Sequence, residues 1–188
     1  MNRLVLIFVS VLFLFSCKEK VIKEYKFRVI SFEGIDEEVK KEGKLVVESL
    51  KDTTRYKYYV KSSNNEYGEE LTFEILKTEK NDSILIHKKD STIVIEKLVA
   101  IKNYEINGDL YQIKKYKKDN PEIDEDGATF FNDKYGRIAG ASYSWGFYDF
   151  IQISSDTLNN NFEILKKEML NDTSGFFRYA TKPPISLK

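Results

Sequence analysis

The sequence predicts a mainly β protein at the margin of α+β: a curved or barrel-like antiparallel sheet of about nine or ten strands, then one C-terminal helix. Composition is the first reason. Tyr and Phe number 12 and 13 in 188 residues, and aromatic and β-branched enrichment with little alanine favours strands. The second is a period-two alternation of apolar and polar residues, restarted after each cluster of turn residues. The third is that a single segment, near the C-terminus, carries the helical period.

Tyr25, Phe27 and Val29 alternate with Lys26 and Arg28, the pattern of a half-buried strand. Lys44–Leu50 and Arg55–Lys61 follow, with Asp52-Thr53-Thr54 as the turn between them; Tyr56, Tyr58 and Val60 share a face. Leu71, Phe73 and Ile75 repeat the scheme after the polar stretch Ser62–Gly68. Ser83–Lys88 and Thr92–Leu98 flank Lys89-Asp90-Ser91 as a hairpin. Asn107-Gly108 is the clearest turn signal, since Asn-Gly tolerates the positive φ angles of a two-residue type I′ hairpin. It separates Tyr104–Ile106 from Leu110–Tyr116. Residues 119–127, with Pro121, read as a loop. Ala128–Phe131, Arg137–Ser144 and Phe147–Ile153 complete the strands, with bends at Gly136 and Gly146. Asp156 can cap a helix in which Leu158, Phe162, Leu165 and Met169 recur at helical spacing, ending near Asn171.

This order is similar to that of lipocalin-like barrels, which also end in a helix. The glycine-x-tryptophan signature of their first strand is missing, so the resemblance is architectural and implies no function. Residues 25–188 read as a single domain, with no repeat and no low-complexity linker.

The first residues have a different character. Met1-Asn2-Arg3 is a short basic start, and the apolar run Leu4–Phe15 is broken only by Ser10. That suits a secretory signal and is too short for a spanning helix of about 20 residues. The run ends in Leu14-Phe15-Ser16-Cys17, which resembles the lipobox of bacterial lipoproteins, in the tolerant form seen in Bacteroidetes. The resemblance implies a signal peptide over 1–16, acylation of Cys17 (palmitate among the acyl chains) by the lipoprotein-processing machinery, and a short tether over 17–24. The alternative is an ordinary signal cut elsewhere, but no small-x-small site stands suitably downstream. Cys17 is the only cysteine, so no disulfide competes for it. Two or three acyl chains suffice for stable attachment. The expected address is the outer membrane, with its periplasmic and cell-surface faces both open; Lys18-Glu19-Lys20 is only faintly like a surface-export signal.

Charge excludes other partners. Thirty basic and thirty acidic side chains leave no basic footprint for nucleic acid and no polybasic patch for anionic lipid. No residue pattern points to a cofactor.

Glu122, Asp124 and Asp126, with Gly127 and then Asp133, come close to a calcium loop. Glu stands first, the shorter Asp stands last, and Pro121 forbids a preceding helix, so a solvated acidic loop is the preferred reading. Ser142 and Ser144 each have one glycine at the spacing of a nucleophile elbow, but that turn joins a strand to a helix. The lone His87 falls on a strand, with Ser83 and Asp90 near it in sequence. Tyr143, Trp145, Phe147 and Tyr148 form the richest aromatic cluster, a ligand or partner surface if exposed and core beneath the helix otherwise. Ala139-Gly140-Ala141 beside them leaves room for something bulky, expected to be the helix. Thr53, Ser83, Ser91 and Thr157 each follow Asp, which resembles the O-glycosylation motif of exported Bacteroidetes proteins and equally suits turns.

Every catalytic template fails in part. The leading expectation is therefore a lipid-anchored envelope protein that binds a small molecule or a protein partner and leans away from catalysis. An assembly subunit of an envelope complex comes second, and a hydrolase joining Ser142 or Ser144 to His87 third. An enclosed cavity would favour a carrier.

Overall fold

The computed structural model describes residues 21–33, 36–61, 66–76, 83–88, 90, 92–118, 126–144, 146–154 and 158–177. Ten strands run in chain order: β1 (Val21–Glu33), β2 (Asp36–Ser49), β3 (Thr53–Lys61), β4 (Tyr67–Leu76), β5 (Ser83–Lys88), β6 (Ile93–Ile106), β7 (Asp109–Lys118), β8 (Gly127–Asn132), β9 (Gly136–Ser142) and β10 (Phe147–Ser154). One helix, α1 (Leu158–Leu170), follows them. Each strand pairs antiparallel with its successor, and β10 pairs with β1 to close the barrel, so no edge remains open.

Most turns fall where the alternation breaks, but Thr53 and Thr54, expected in a turn, open β3, and β2 begins at Asp36, ahead of Lys44. Asn107 and Gly108 both take positive φ, 52° and 82°, as the β6–β7 hairpin requires. β1 begins at Val21, ahead of Tyr25, because Val21–Glu24 pair with Val46–Ser49 of β2. The larger difference is in β6, which the alternation splits into two strands and the structure keeps as one. A bulge at Val99 explains it: Leu98 pairs with Tyr116, but Ala100 pairs with Lys115. An extra residue reverses which parity faces inward. Val94 and Glu96 accordingly line the lumen, whereas Lys102 and Tyr104 bind Asp172 outside it.

Two aromatic layers result. Inside the barrel, Phe131 meets Tyr56, Phe73 and Tyr116, and Tyr58 meets Phe27 and Phe73, with centroids 4.8–6.3 Å apart. Outside, residues 158–177 lie across the outer face of β6–β10. Phe162 packs on Tyr111 and Tyr135, and Phe177 packs on Phe130, Tyr148 and Phe150. Lys115 donates to the Phe176 carbonyl at 2.6 Å, and Lys102 reaches Asp172 at 2.7 Å. On α1 itself Phe162, Leu165 and Met169 are buried, the expected face; Asp156 lies outside the described residues. Among those residues no helix is long and apolar enough to cross a membrane.

The two ends of the barrel differ. At the end where β1 starts, the β8–β9 turn closes the lumen. Tyr56 donates its hydroxyl to the Asp133 carbonyl at 2.5 Å, the Tyr58 hydroxyl accepts the Arg137 backbone N–H at 2.7 Å, and Tyr135 sets its ring against Tyr25. The opposite end, where β1 finishes, is open. A 13-residue strand tilted as in other barrels separates the two by about 30 Å.

Candidate functional site

The open end holds two chambers, of about 340 and 310 Å³. Phe27, Val29, Val60, Leu71, Phe73 and Ile151 make the first largely apolar. The second adds Glu96, Thr129, Lys88 and Lys118. Arg137, Phe147 and Asp149 line both, so the chambers meet at one charged pair.

That pair follows from strand register. Gly140 of β9 sits opposite Asp149 of β10, and Arg137 on β9 reaches the carboxylate past Gly140. A Cβ at Gly140 would overlap Arg137 Nη2 and Asp149 Oδ1. The space at Gly140 is thus taken by an ion pair inside the barrel and not by the helix expected there, whereas Ala139 pairs with Phe130 and Phe150 of the outer layer. Arg137 Nη2 lies 2.6 and 2.8 Å from the two Asp149 oxygens. Among the described residues, its Nε and Nη1 have no hydrogen-bond partner.

Glu96 completes the polar set. Its Oε2 is buried without a partner among the described residues. Burial pushes its carboxyl above the usual range, against the Thr129 hydrogen bond and the Arg137 charge, which pull it down. An acid buried in this way favours its neutral form.

The residues singled out in the sequence are dispersed. Tyr143 is buried; Lys115 and Lys117 lie over its ring and its hydroxyl donates to the Phe177 carbonyl at 3.3 Å. Tyr148 packs on Phe177. Both belong to the layer beneath the C-terminal segment, so the four aromatics do not form one surface. Phe147 alone of them lines the lumen. Trp145 lies outside the described residues, as do Cys17, Glu122, Asp124, Ser91 and Thr157.

Asp126 and Asp133 flank the six residues of β8, which holds them roughly 20 Å apart. Each meets its own lysine: Asp126 meets Lys117 at 3.1 Å and Asp133 meets Lys114 at 2.6 Å. They cannot share a calcium ion, because the intervening residues form β8, the strand expected at Ala128–Phe131. Thr53 and Ser83 open β3 and β5 and are half-buried.

Ser142 lines the second chamber. His87 alternates with the inward Ile86 and lies on the other side of the wall, its Nε2 3.3 Å from Glu74. Ser144 is exposed in the β9–β10 turn. The hydrolase constellation is not assembled.

Sequence reasoning missed Arg137, Asp149 and Glu96. A signal was present: Asp149 shares its phase with Phe147 and Ile151, and Glu96 shares its phase with Val94 and Leu98. A charge in phase with inward apolar residues marks a polar group inside a barrel.

The fold and the chambers define the class: a ten-stranded antiparallel barrel with one plugged and one open end. No family model matches the chain, and no curated protein is significantly similar to it. Among solved structures, a DUF1329 family protein from Desulfovibrio piger matches over 73% of this chain and 85% of that one, at 8% identity and a TM-score of 0.32. A likeness at that level carries no argument about function.

Proposed function

We propose that this chain is a lipoprotein, anchored through acylated Cys17 to the outer membrane, whose barrel binds a small amphipathic molecule in its open end. The carrying observation is the pair of chambers that share Arg137, Phe147 and Asp149. A concave, mostly apolar cavity of a few hundred Å³ with a few convergent polar groups is the usual form of a small-molecule site. The lipobox supports the anchor. Because β1 starts at the plugged end, an anchor four residues ahead of Val21 leaves the mouth facing away from the membrane.

The assembly-subunit reading rests on a different feature, Ile93 and Ile95 on the outer face of β6 with Val99 at the bulge, each about half exposed. It lacks the convergent polar groups of the lumen and ranks second.

A chain beginning at Glu19 keeps every described contact and suits the test. An environment-sensitive apolar dye should bind it and brighten. Leu71→Trp, which fills the first chamber, should abolish that signal while the unfolding midpoint stays within a few degrees. Undiminished dye binding in the plugged variant would remove the lumen as the site.

A further inference from the structure

We propose that the ligand carries an oxyanion head, a carboxylate or a phosphate, on a single apolar tail, and that Arg137 receives the head. This rests on the lumen being the binding site and names the chemistry it selects.

Within the charged pair, donors are left over and acceptors are not. Both oxygens of Asp149 are engaged by a single nitrogen of Arg137, which leaves Nε and Nη1 of the same guanidinium without partners among the described residues. A guanidinium offers five N–H donors in a planar fork, and its preferred partner is a carboxylate or phosphate held by two of them. Glu96 Oε2, the one buried carboxylate oxygen without a partner among the described residues of the lumen, is shielded from contact, so that atom does not present itself to a cationic head.

The charges on the walls agree. Lys41 lines the first chamber, Lys88 and Lys118 line the second, and Arg137 lines both. Arg137 and Asp149 offset each other, and Lys41 and Lys118 each already hold an interaction elsewhere, which leaves Lys88 and the unused guanidinium donors facing Glu96. Entering through such a mouth, an anion gains from the field and a cation loses.

The apolar residues set the rest of the molecule. Phe27, Val29, Val60, Leu71, Phe73 and Ile151 surround about 340 Å³ directly beside the guanidinium. A single chain whose head lies on Arg137 has this chamber within immediate reach. The second chamber is the more polar of the two: Ile86, Val94 and Phe147 share its walls with Glu96, Lys88, Lys118 and Thr129. The two chambers thus suit tail and head in that order, with Arg137 at the junction.

The test is a competition series against the lumen-bound dye, using the Glu19–Lys188 chain and four ligands with the same twelve-carbon tail: dodecanoate, dodecyl phosphate, dodecanol and dodecylamine. At least one of the two oxyanions should bind about tenfold or more tighter than the alcohol, the worth of one charge-assisted hydrogen bond. The amine should bind weakest, and the better oxyanion identifies the head group. Equal binding of dodecanol and both oxyanions, or tightest binding of the amine, would overturn the ligand class while leaving the lumen as the site. Displacement by none of the four, with no dye bound either, would overturn the lumen reading itself.

Variants separate recognition from support. Arg137→Gln should cost the oxyanion about tenfold and leave dodecanol unchanged. Asp149→Asn removes the competing carboxylate and frees a further donor, so it should tighten the oxyanion several-fold. A purely structural pair predicts the reverse, with both substitutions weakening all four ligands together. Asp149→Asn keeps the side-chain shape, so the proposal stays testable if Arg137→Gln does not fold.

Discussion

The plugged and open ends of this barrel are built from the same strands and the same residue types, yet they do opposite things with them. At the plugged end aromatic rings interlock and their hydroxyls find partners across the lumen: Tyr56 on Asp133 and Tyr58 on the Arg137 backbone. At the open end Phe27, Phe73 and Phe147 border empty volume, and the polar groups are an ion pair with donors to spare and a buried acid. Close packing of large rings supplies stability where the lumen is full. Where it is not, the same walls present a surface that something else can cover. Phe73 takes part in both, with Phe131 on one side and the first chamber on the other.

The contrast is broken most directly by truncating one phenylalanine at each end. Phe131→Ala should cost about 3–5 kcal/mol in urea unfolding, as a fully buried ring does, because Tyr56, Phe73 and Tyr116 all lose their central contact. Phe147→Ala, half-buried and bordering the chambers, should cost under about 1.5 kcal/mol and weaken dye binding instead. Comparable losses at the two sites would erase the distinction.

A pH series sharpens it next, through two acids that respond in opposite directions. Burial pushes the Asp172 carboxyl up, but hydrogen bonds from Lys102 and from the Ser174 hydroxyl and N–H outweigh it and hold the group at about 2. A depressed folded value means stability that is complete above the ordinary value of 3.8 and is lost as pH falls toward 2. Asp172→Asn should therefore flatten the acid limb of a stability profile. Glu96 has its folded value raised, so its contribution is present below the ordinary value of 4.5 and is lost as pH rises through the folded value. Glu96→Gln should leave stability at pH 4 nearly unchanged and raise it at pH 7. Parallel responses from the two variants would mean that Glu96 sits in no special environment.

The smallest signal concerns orientation. In vesicles bearing the acylated protein, a fluorophore at Asp52→Cys, on the turn at the plugged end, should be partly quenched by headgroup quenchers. One at Glu66→Cys, near the mouth, should not, since about 30 Å of barrel separates the two ends. Cys17→Ser should release both from the vesicles. Equal quenching at the two positions would place the barrel on its side.

Much of the fold was legible because its causes are local. Tyr56, Tyr58 and Val60 announce an inward face by spacing alone, Asn107-Gly108 announces its turn by backbone freedom, and Phe162, Leu165 and Met169 announce the buried side of α1. The candidate site was not legible, for reasons that lie in the bulges and in closure. Phe130 and Phe131 are neighbours in sequence but serve different layers, one under Phe176 and Phe177 and the other in the lumen. The aromatic cluster at 143–148 reads in sequence as a surface or as core beneath the helix, and the covering segment 158–177 takes Tyr143 and Tyr148 into the outer layer while Phe147 lines the lumen.

By itself, the sequence determined a β-rich chain of about nine or ten strands, most of its turns and its single helix, since each depends on propensity and period within a few residues. Only the tertiary structure decided which ends are full and which are empty. It also brought Glu96 of β6 to Arg137 and Asp149 of the β9–β10 hairpin. A closed barrel makes neighbours of residues 41 positions apart, and a one-residue bulge decides whether a side chain faces lumen or helix.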